Sequence, residues 1–200
     1  VGLITYMRTD SNRLSPTFIE RAKKYIIETF GKEYLGSVKA VKVGELSQDA
    51  HEAIRPTSNH RTPESVKEHL TNDQYNLYKI IYNRTLESLM KPKKEEVMKV
   101  VVELDDYNLT FEFARTIFKG YEILNPKENT NSDFPKLEVG DVVTITNKQG
   151  EQKFTQPPSH YSEAKIVKLM EEVGIGRPST YATTIETLKK RKYVDDTAGI

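Results

Sequence analysis

The sequence predicts an α+β fold in which helical segments flank a β-rich middle. Up to about residue 90, apolar residues recur at the three- and four-residue spacing of amphipathic helices. From residue 95 the pattern changes to runs of β-branched and aromatic residues bounded by turn residues, which is typical of antiparallel strands. Helical spacing returns after Pro157-Pro158. We therefore divide the chain into three predicted domains, residues 1–92, 93–156 and 157–200.

Three helices are predicted in the first domain. Ser15-Pro16 supplies an N-cap and a first-turn proline for a helix over about residues 16–30. Thr62-Pro63 begins a second helix, and Thr71-Asn72-Asp73-Gln74 is a capping box for a third that reaches about Met90. The apolar stripe of the third helix is broad, which indicates that these helices pack around a common core.

Two short elements are predicted between the first and second helices. The segment Ser37–Val43 places apolar residues between lysines, as in a short strand. If Asp49 caps a helical turn, His51 and Arg55 lie four residues apart on one face of it, and Pro56 ends the turn.

The middle domain is predicted to be an antiparallel β module. Val97–Leu104 and Leu109–Phe118 flank the turn residues Asp105–Asn108, which predicts a hairpin. Val142–Thr146 and Glu151–Thr155 are predicted as a second pair of strands, joined by a glycine-containing turn.

The last domain contains a predicted helical pair. Ser162 caps a helix that ends at Gly174, and a second helix runs from Tyr181 to about Lys190, capped by Ser179 or Thr180. Two helices joined by a glycine-containing turn have the geometry of helix-turn-helix nucleic-acid binders. An ordinary helical hairpin is the common alternative.

The opening stretch Gly2–Ser11 contains a candidate nucleophile. Tyr6 and Arg8 are two residues apart, so in an extended segment their side chains point to the same side. A guanidinium offers paired donors that suit a phosphate, and nearby positive charge can favour the phenolate or stabilise the transition state of its attack. Taken alone, the pair is better explained by a strand tyrosine beside an exposed arginine.

The amino-acid composition limits which class of protein the chain can belong to and which kinds of metal or nucleic-acid site it can form. The chain has 200 residues, of which 30% are charged and 36% hydrophobic, which is typical of globular proteins. No apolar run approaches the roughly 18 residues that a membrane span needs. Cysteine is absent, which excludes disulfides and thiolate metal sites. Because the net charge is only +1, any contact with nucleic acid must come from local placement of basic residues.

Three groups of motifs together resemble the type IA DNA topoisomerases, and most closely the bacterial topoisomerase I enzymes. Ile4–Ser11, with the sequence ITYMRTDS, resembles the family's active-site tyrosine motif, and His51–Thr57, with the sequence HEAIRPT, resembles its second motif. Phe154–Pro158 followed by Gly174–Ala182 resembles the third. Their order and spacing also suit the family.

The resemblance implies a fold that is part of the family's toroid. Residues 1–92 would be a helical, winged-helix-like domain that carries the tyrosine, and residues 93–156 would belong to a β-rich arch or gate. Residues 157–200 would begin a helical domain that binds the single-stranded DNA leading to the cleavage site.

The resemblance also implies a reaction, the ATP-independent relaxation of negatively supercoiled DNA. Tyr6 would attack a phosphodiester in a single strand and form a 5′-phosphotyrosyl intermediate. Another strand would pass, and the free 3′ hydroxyl would reverse the attack. Arg8 would steady the phosphate and the transition state, and His51 would hydrogen-bond the scissile-strand phosphate.

Six further residues are implied to contact DNA or to hold the tyrosine loop. By role, these are the residues that would hold the substrate strand or the loop (Thr5, Thr9 and Asp10), the residue that would contact DNA or pair with a carboxylate (Arg55), and the residues that would lie near the bound strand (Arg177 and Thr180).

No metal site is expected in this chain. The family's acidic metal-binding cluster has no counterpart here, because the paired acids Asp105-Asp106 and Asp195-Asp196 are better explained by turns. Mg²⁺ is expected to serve the whole enzyme through a domain that these residues do not contain. The start at Val1 rather than Met leads us to expect an internal fragment, inactive alone.

The resemblance further leads us to expect a monomer that binds single-stranded DNA and no membrane, in the cytoplasm at the nucleoid. The alternative is a noncatalytic DNA-binding or scaffolding module, winged-helix-like in fold, in which Tyr6 is merely packed.

Overall fold

The computed structural model describes residues 2–9, 11–37, 51–126 and 133–194. Asp10, Asp49 and all but the first residue of the predicted strand Ser37–Val43 lie outside these ranges. The described part has an α+β fold with five α-helices and one two-stranded antiparallel sheet, which confirms the predicted fold class. The winged-helix-like character of the first domain stays a prediction.

The chain forms two compact units. The first comprises Val1–Met7 and Ser11–Thr146, and the second comprises Arg8–Asp10 and Asn147–Ile200. The division into three domains at residues 92/93 and 156/157 stays a prediction.

The core of the first unit lies among three helices: α1 (Pro16–Phe30), the short α2 (Pro63–Val66) and α3 (Asn72–Glu87). It is formed by buried apolar side chains of α1, α2, α3 and the turn after α3. These are Phe18, Ala22, Ile26, Val66, Tyr78, Tyr82, Leu86, Leu89 and Met90. The stripes predicted from helical spacing therefore do face one another.

The helix starts are as the sequence predicts. The Ser15 side chain accepts a hydrogen bond from the Phe18 N–H, and Thr71 and Gln74 form the complete capping box of α3. The third helix ends at Glu87, before the predicted Met90. The second helix, α2, is a single turn, because the chain continues from it into a 3₁₀ turn at Lys67–His69.

The predicted hairpin is confirmed and longer than expected. Strand β1 (Lys94–Leu104) pairs with β2 (Tyr107–Phe118), with Leu104 opposite Tyr107. Only Asp105 and Asp106 form the turn, and Asp105 adopts a φ of 48°, as tight two-residue turns require.

The second predicted hairpin, over residues 142–155, is wrong. No strand occurs there in the structure, although all of these residues are described. The Val142 side chain is 95% exposed, so its β propensity brings no burial to offset the entropy lost on ordering a strand.

The second unit contains the predicted helical pair. Helix α4 spans Glu163–Glu172, capped by Ser162, and α5 spans Tyr181–Lys190. Gly174 has a φ of 75°, and the Ile175 N–H donates to the Met170 carbonyl, which completes a glycine-based helix end. None of the described helices is long and apolar enough to cross a membrane.

Candidate active site

The segment that leads to Tyr6 pairs with the second motif in an antiparallel bridge. Ile4 lies opposite Pro56, the Thr5 N–H donates to the Arg55 carbonyl at 3.0 Å, and the Thr57 N–H donates to the Leu3 carbonyl at 2.9 Å. Residues 51–56 form no helical turn, and Pro56 lies in the bridge, so the predicted helical turn is wrong. Long-range hydrogen bonds explain why: the backbone groups of Ala53 and Arg55 bond Thr5 and Arg13 rather than one another.

The Thr5 hydroxyl reinforces this pairing. It donates to the Ala53 carbonyl at 2.7 Å and accepts from the Arg55 N–H at 3.0 Å. Thr57 acts in the same way from the other side, since its hydroxyl donates to the Gly2 carbonyl at 2.9 Å. Of the two roles left open for Thr5, the structure displays contacts that hold the tyrosine segment; its contact with DNA stays a prediction.

Tyr6 and His51 lie side by side in the first unit. Their ring centroids are 6.0 Å apart and their planes differ by 27°, so the rings are stacked. Tyr6 is 71% exposed, whereas His51 is half-buried. The structure therefore brings an accessible phenol and an imidazole together at the end of the bridge.

Behind the bridge, Glu52 and Arg55 form a bidentate ion pair. Arg55 Nε donates to Glu52 Oε1 at 2.7 Å and Nη2 donates to Oε2 at 2.9 Å, while Nη1 donates to the Pro56 carbonyl. The guanidinium carbon lies 4.1 Å from the centre of the Phe18 ring. Only 13% of the Arg55 side chain is exposed. Arg55 thus has the carboxylate partner that was the alternative to a DNA contact, and its contact with DNA stays a prediction.

Glu52 also joins this pair to the start of α1. Its Oε1 accepts a hydrogen bond from the Ser15 backbone N–H at 2.7 Å. Partial burial acts to raise the pKa of Glu52, but the hydrogen bonds from Arg55 and Ser15 and the charge of Arg55 outweigh it. The net effect holds the pKa of Glu52 below its ordinary value, so this carboxylate is charged at neutral pH.

Four of the predicted site residues that the structure describes belong to the second unit. Arg8 is half-buried, and Thr9 is exposed. The Thr180 hydroxyl accepts from the Arg177 N–H at 2.9 Å and donates to the Arg177 carbonyl at 3.0 Å, which closes a tight turn. Thr180 is the N-cap residue of α5, as one of the two predicted alternatives has it, but its side chain makes no capping hydrogen bond.

The Arg177 side chain extends from this turn. It is exposed, and among the described residues its guanidinium donates only to the carbonyl of the adjacent Gly176, at 2.6 Å from Nη1. Gly176 adopts a φ of 77°, and a Cβ there would lie 3.1 Å from the Thr180 hydroxyl. The Thr180 hydroxyl and the left-handed backbone of Gly176 therefore shape the turn and leave the arginine exposed.

The described residues do not fit a bound Mg²⁺. Within these ranges no group of three or more His, Cys, Asp or Glu side chains is placed to hold a metal ion. We therefore derive no step through a metal at these residues.

Glu52 and Phe18 are site-supporting residues that the sequence reasoning did not single out. Glu52 and Arg55 are three residues apart inside the second motif, and opposite charges at that spacing are a signal that could have been used. Nothing local marks Phe18 as a platform for Arg55, because that contact depends on how α1 packs.

Two comparisons with known proteins identify the family of the chain. A family model described as DNA topoisomerase matches residues 1–199. The chain is also similar to the solved structure of full-length topoisomerase I from Thermotoga maritima, with 40% identity and a TM-score of 0.80. That match covers 100% of this chain and 32% of the other, so the chain spans about a third of its relative's length. The chain belongs to the type IA DNA topoisomerase family.

Proposed function

We propose that this chain is the tyrosine-bearing segment of an enzyme that relaxes negatively supercoiled DNA by breaking and rejoining one strand without ATP. The observation that carries the proposal is the exposed Tyr6 stacked on His51, at the end of a segment anchored by Thr5. Both residues lie in stretches that resemble motifs of the family to which the chain belongs.

The proposed step is a reversible transesterification. The Tyr6 phenolic oxygen attacks the phosphorus of a single-stranded phosphodiester, a bond forms between them, and the bond from phosphorus to the 3′ oxygen breaks. The phenolic proton is lost, and the departing 3′ oxygen takes up a proton to become a hydroxyl. After strand passage the 3′ hydroxyl attacks the phosphotyrosine, and the original bond returns. Because an ester replaces an ester, no ATP is needed.

Arg8 and His51 are proposed to act on the phosphate. The Arg8 guanidinium would balance the charge that gathers on the phosphate oxygens in the transition state. The His51 imidazole can donate a hydrogen bond to a phosphate oxygen of the scissile strand or carry a proton. Its place beside the Tyr6 ring supports this role.

The remaining predicted residues are proposed to contact the single strand around the cleavage site. Arg177 and Thr180 stand where α5 begins, and a helix N-terminus favours a phosphate. Exposure of the Arg177 guanidinium supports that role. Thr9, Asp10 and Thr5 are proposed in the same set on the family motif alone. For Arg55 we propose the alternative role, the ion pair with Glu52.

Covalent trapping tests the reaction. The full-length enzyme that contains this segment is incubated with a labelled single-stranded oligonucleotide and Mg²⁺, then denatured and resolved on a gel. We expect a protein–DNA adduct, and we expect Tyr6→Phe to abolish it. An adduct that persists in Tyr6→Phe, or that never forms with the wild type, would refute the nucleophile and favour a noncatalytic DNA-binding module.

A second assay concerns residues 1–200 alone. We propose that they lack part of the active site, so that the purified 200-residue chain leaves supercoiled plasmid unrelaxed. Relaxation by this chain would show that it is sufficient for the reaction. If phosphate contacts dominate its DNA binding, affinity should fall as salt rises, and a salt-insensitive affinity would contradict the DNA-binding role.

A further inference from the structure

We infer that Glu52 is a positioning residue for the cleavage reaction, because its contacts fix both the segment that carries Tyr6 and the backbone that carries His51. The inference rests on the proposed function, since it assigns Glu52 a part in that same reaction. In this role Glu52 touches neither Tyr6 nor DNA; it acts through the chain on either side of it.

The first step is that Glu52 is itself fixed. One carboxylate oxygen accepts from the Ser15 N–H at the start of α1, and both oxygens accept from Arg55. Arg55 in turn lies on the Phe18 ring, and Phe18 belongs to the buried face of α1. The ion pair is therefore held on the first turn of a core helix, where a negative charge also suits the helix dipole.

The second step is that the fixed pair sets the position of the bridge. The Arg55 backbone N–H donates to the Thr5 hydroxyl and its carbonyl accepts from the Thr5 N–H. Ala53, directly after Glu52, accepts from the same hydroxyl. Thr5 is the residue before Tyr6, so the pair contributes to where the tyrosine leaves the bridge.

The third step concerns His51, which directly precedes Glu52. With Glu52 held on α1, the backbone of His51 cannot shift without breaking a charged hydrogen bond. The stacked arrangement of Tyr6 and His51 therefore depends on the Glu52 carboxylate in two ways, through the bridge that leads to Tyr6 and through the backbone of His51. A shift of about 1 Å in a reacting group can slow a reaction about 100-fold, so such an anchor has kinetic consequences.

The test separates positioning from DNA binding in the full-length enzyme. Glu52→Gln keeps the shape of the side chain, but it loses the charge and turns one oxygen toward Arg55 into an N–H donor. We expect the single-turnover cleavage rate at saturating single-stranded oligonucleotide to fall about 10- to 100-fold. We expect the dissociation constant for the same oligonucleotide to change less than about threefold, because Glu52 contacts no DNA.

Glu87→Gln is the matched control. Glu87 pairs with Arg84 at the same three-residue spacing and in the same unit, with 3.3 Å between Glu87 Oε2 and Arg84 Nη1, but it lies on α3 away from the bridge. Its cleavage rate should equal that of the wild type. An equal slowing in Glu87→Gln would trace the effect to general destabilisation and overturn the inference.

The remaining outcomes are also decisive. If the wild type forms the adduct and Glu52→Gln cleaves at the wild-type rate, positioning by Glu52 is wrong and the proposed function stands. A loss of oligonucleotide affinity that accounts for the slower cleavage would overturn it as well. If the wild type forms no adduct, the proposed function itself fails.

A second variant covers the case in which Glu52→Gln does not fold. Glu52→Asp keeps the charge but is one methylene shorter, so it cannot span the Ser15 N–H and Arg55 together. We expect slowed cleavage with an unchanged dissociation constant, and cleavage at the wild-type rate would contradict the inference.

The double variant Glu52→Gln/Arg55→Gln should slow cleavage no more than the slower single variant, since the pair acts as one unit. Additive losses of cleavage rate would contradict the inference.

Discussion

Arg55 lies in the first compact unit and Arg177 in the second, and the surroundings of their guanidinium groups are opposite. Arg55 donates from three nitrogens to Glu52 and to the Pro56 carbonyl and rests on the Phe18 ring. Arg177 is exposed, and within the described residues its side chain bonds only its own neighbour, Gly176.

The difference separates two uses of the same side chain. A guanidinium whose donors are taken by protein groups sets the geometry of the backbone around it, and its loss should cost stability. One that is exposed at the start of a helix can meet a phosphate, and its loss should cost affinity for DNA. The predictions below test this contrast, from the largest expected effect to the smallest.

Replacement of Arg55 should destabilise the protein most. Arg55→Ala leaves the part-buried Glu52 carboxylate without its partner and removes the contact with Phe18, so we expect about 3 kcal/mol lower stability. Chemical denaturation monitored by circular dichroism measures this. Arg84→Ala is the matched control, because Arg84 pairs with Glu87 at the same spacing but has an 80% exposed side chain. It should cost at most about 0.5 kcal/mol, and an equal cost for both would remove the contrast.

The bridge should depend on the Thr5 hydroxyl more than on its methyl group. Thr5→Val has nearly the same shape but leaves the Ala53 carbonyl and the Arg55 N–H without their partner, at a cost of about 2 kcal/mol. Thr5→Ser keeps the hydroxyl and should cost less than half as much. Chemical denaturation of both variants under identical conditions measures the two losses of stability. If Thr5→Ser proves as unstable as Thr5→Val, the hydroxyl is not the group that holds the bridge.

Stability from the Glu52 pair should be lost in acid. The pKa of Glu52 is lower in the folded protein than in the unfolded chain, so the unfolded chain binds the proton more readily. The stabilisation is therefore fully present above the ordinary carboxyl pKa of about 4.3 and disappears as pH falls through the lower folded value.

Comparison of the wild type with Glu52→Gln measures this contribution. The difference in unfolding free energy should be about 1.5 kcal/mol and constant from about pH 6 to 8, then shrink below about pH 4. A difference that is unchanged in acid would mean that the charge of Glu52 contributes nothing to stability.

Local signals in the sequence predict the helices and the first hairpin correctly. The serine and proline before α1, the capping box of α3 and the Asp105-Asp106 turn each satisfy backbone groups within a few residues, so their effect can be recognised from spacing alone. The conformation of His51–Pro56 cannot be recognised in this way. Its non-helical form depends on hydrogen bonds to Thr5 and Arg13, about 40 to 50 positions away along the chain.

At the site, too, residue types are predictable from local sequence, whereas contacts made by tertiary packing are not. The motifs identify Tyr6, His51 and Arg177 as residue types suited to a phosphate, and the exposure of Tyr6 and Arg177 in the structure is compatible with that. Glu52 has a recognisable partner at i+3, but its bond to Ser15 depends on tertiary packing. The failed strands at 142–155 show the converse: a favourable residue pattern does not form a sheet without a surface to cover it.

Loss of Arg177 should have the smallest effect and should fall on binding. Arg177→Ala removes an exposed side chain, so stability should change by less than about 0.5 kcal/mol. If Arg177 meets a phosphate, affinity for single-stranded oligonucleotides should fall about fivefold, or roughly 1 kcal/mol, to a similar extent for different sequences. The slope of log affinity against log salt should become shallower by about 0.7, because one fewer counterion-releasing contact is made.

Fluorescence anisotropy at several salt concentrations measures both quantities in the full-length enzyme. Arg84→Ala again serves as the control, since it removes an exposed arginine from α3 and should leave affinity and slope unchanged. A fall in affinity with an unchanged slope would indicate that Arg177 acts through the shape of its turn rather than through a phosphate. Unchanged affinity in Arg177→Ala would place Arg177 outside the DNA contact altogether, and exposure alone would then be a poor guide to which of the two arginines meets the strand.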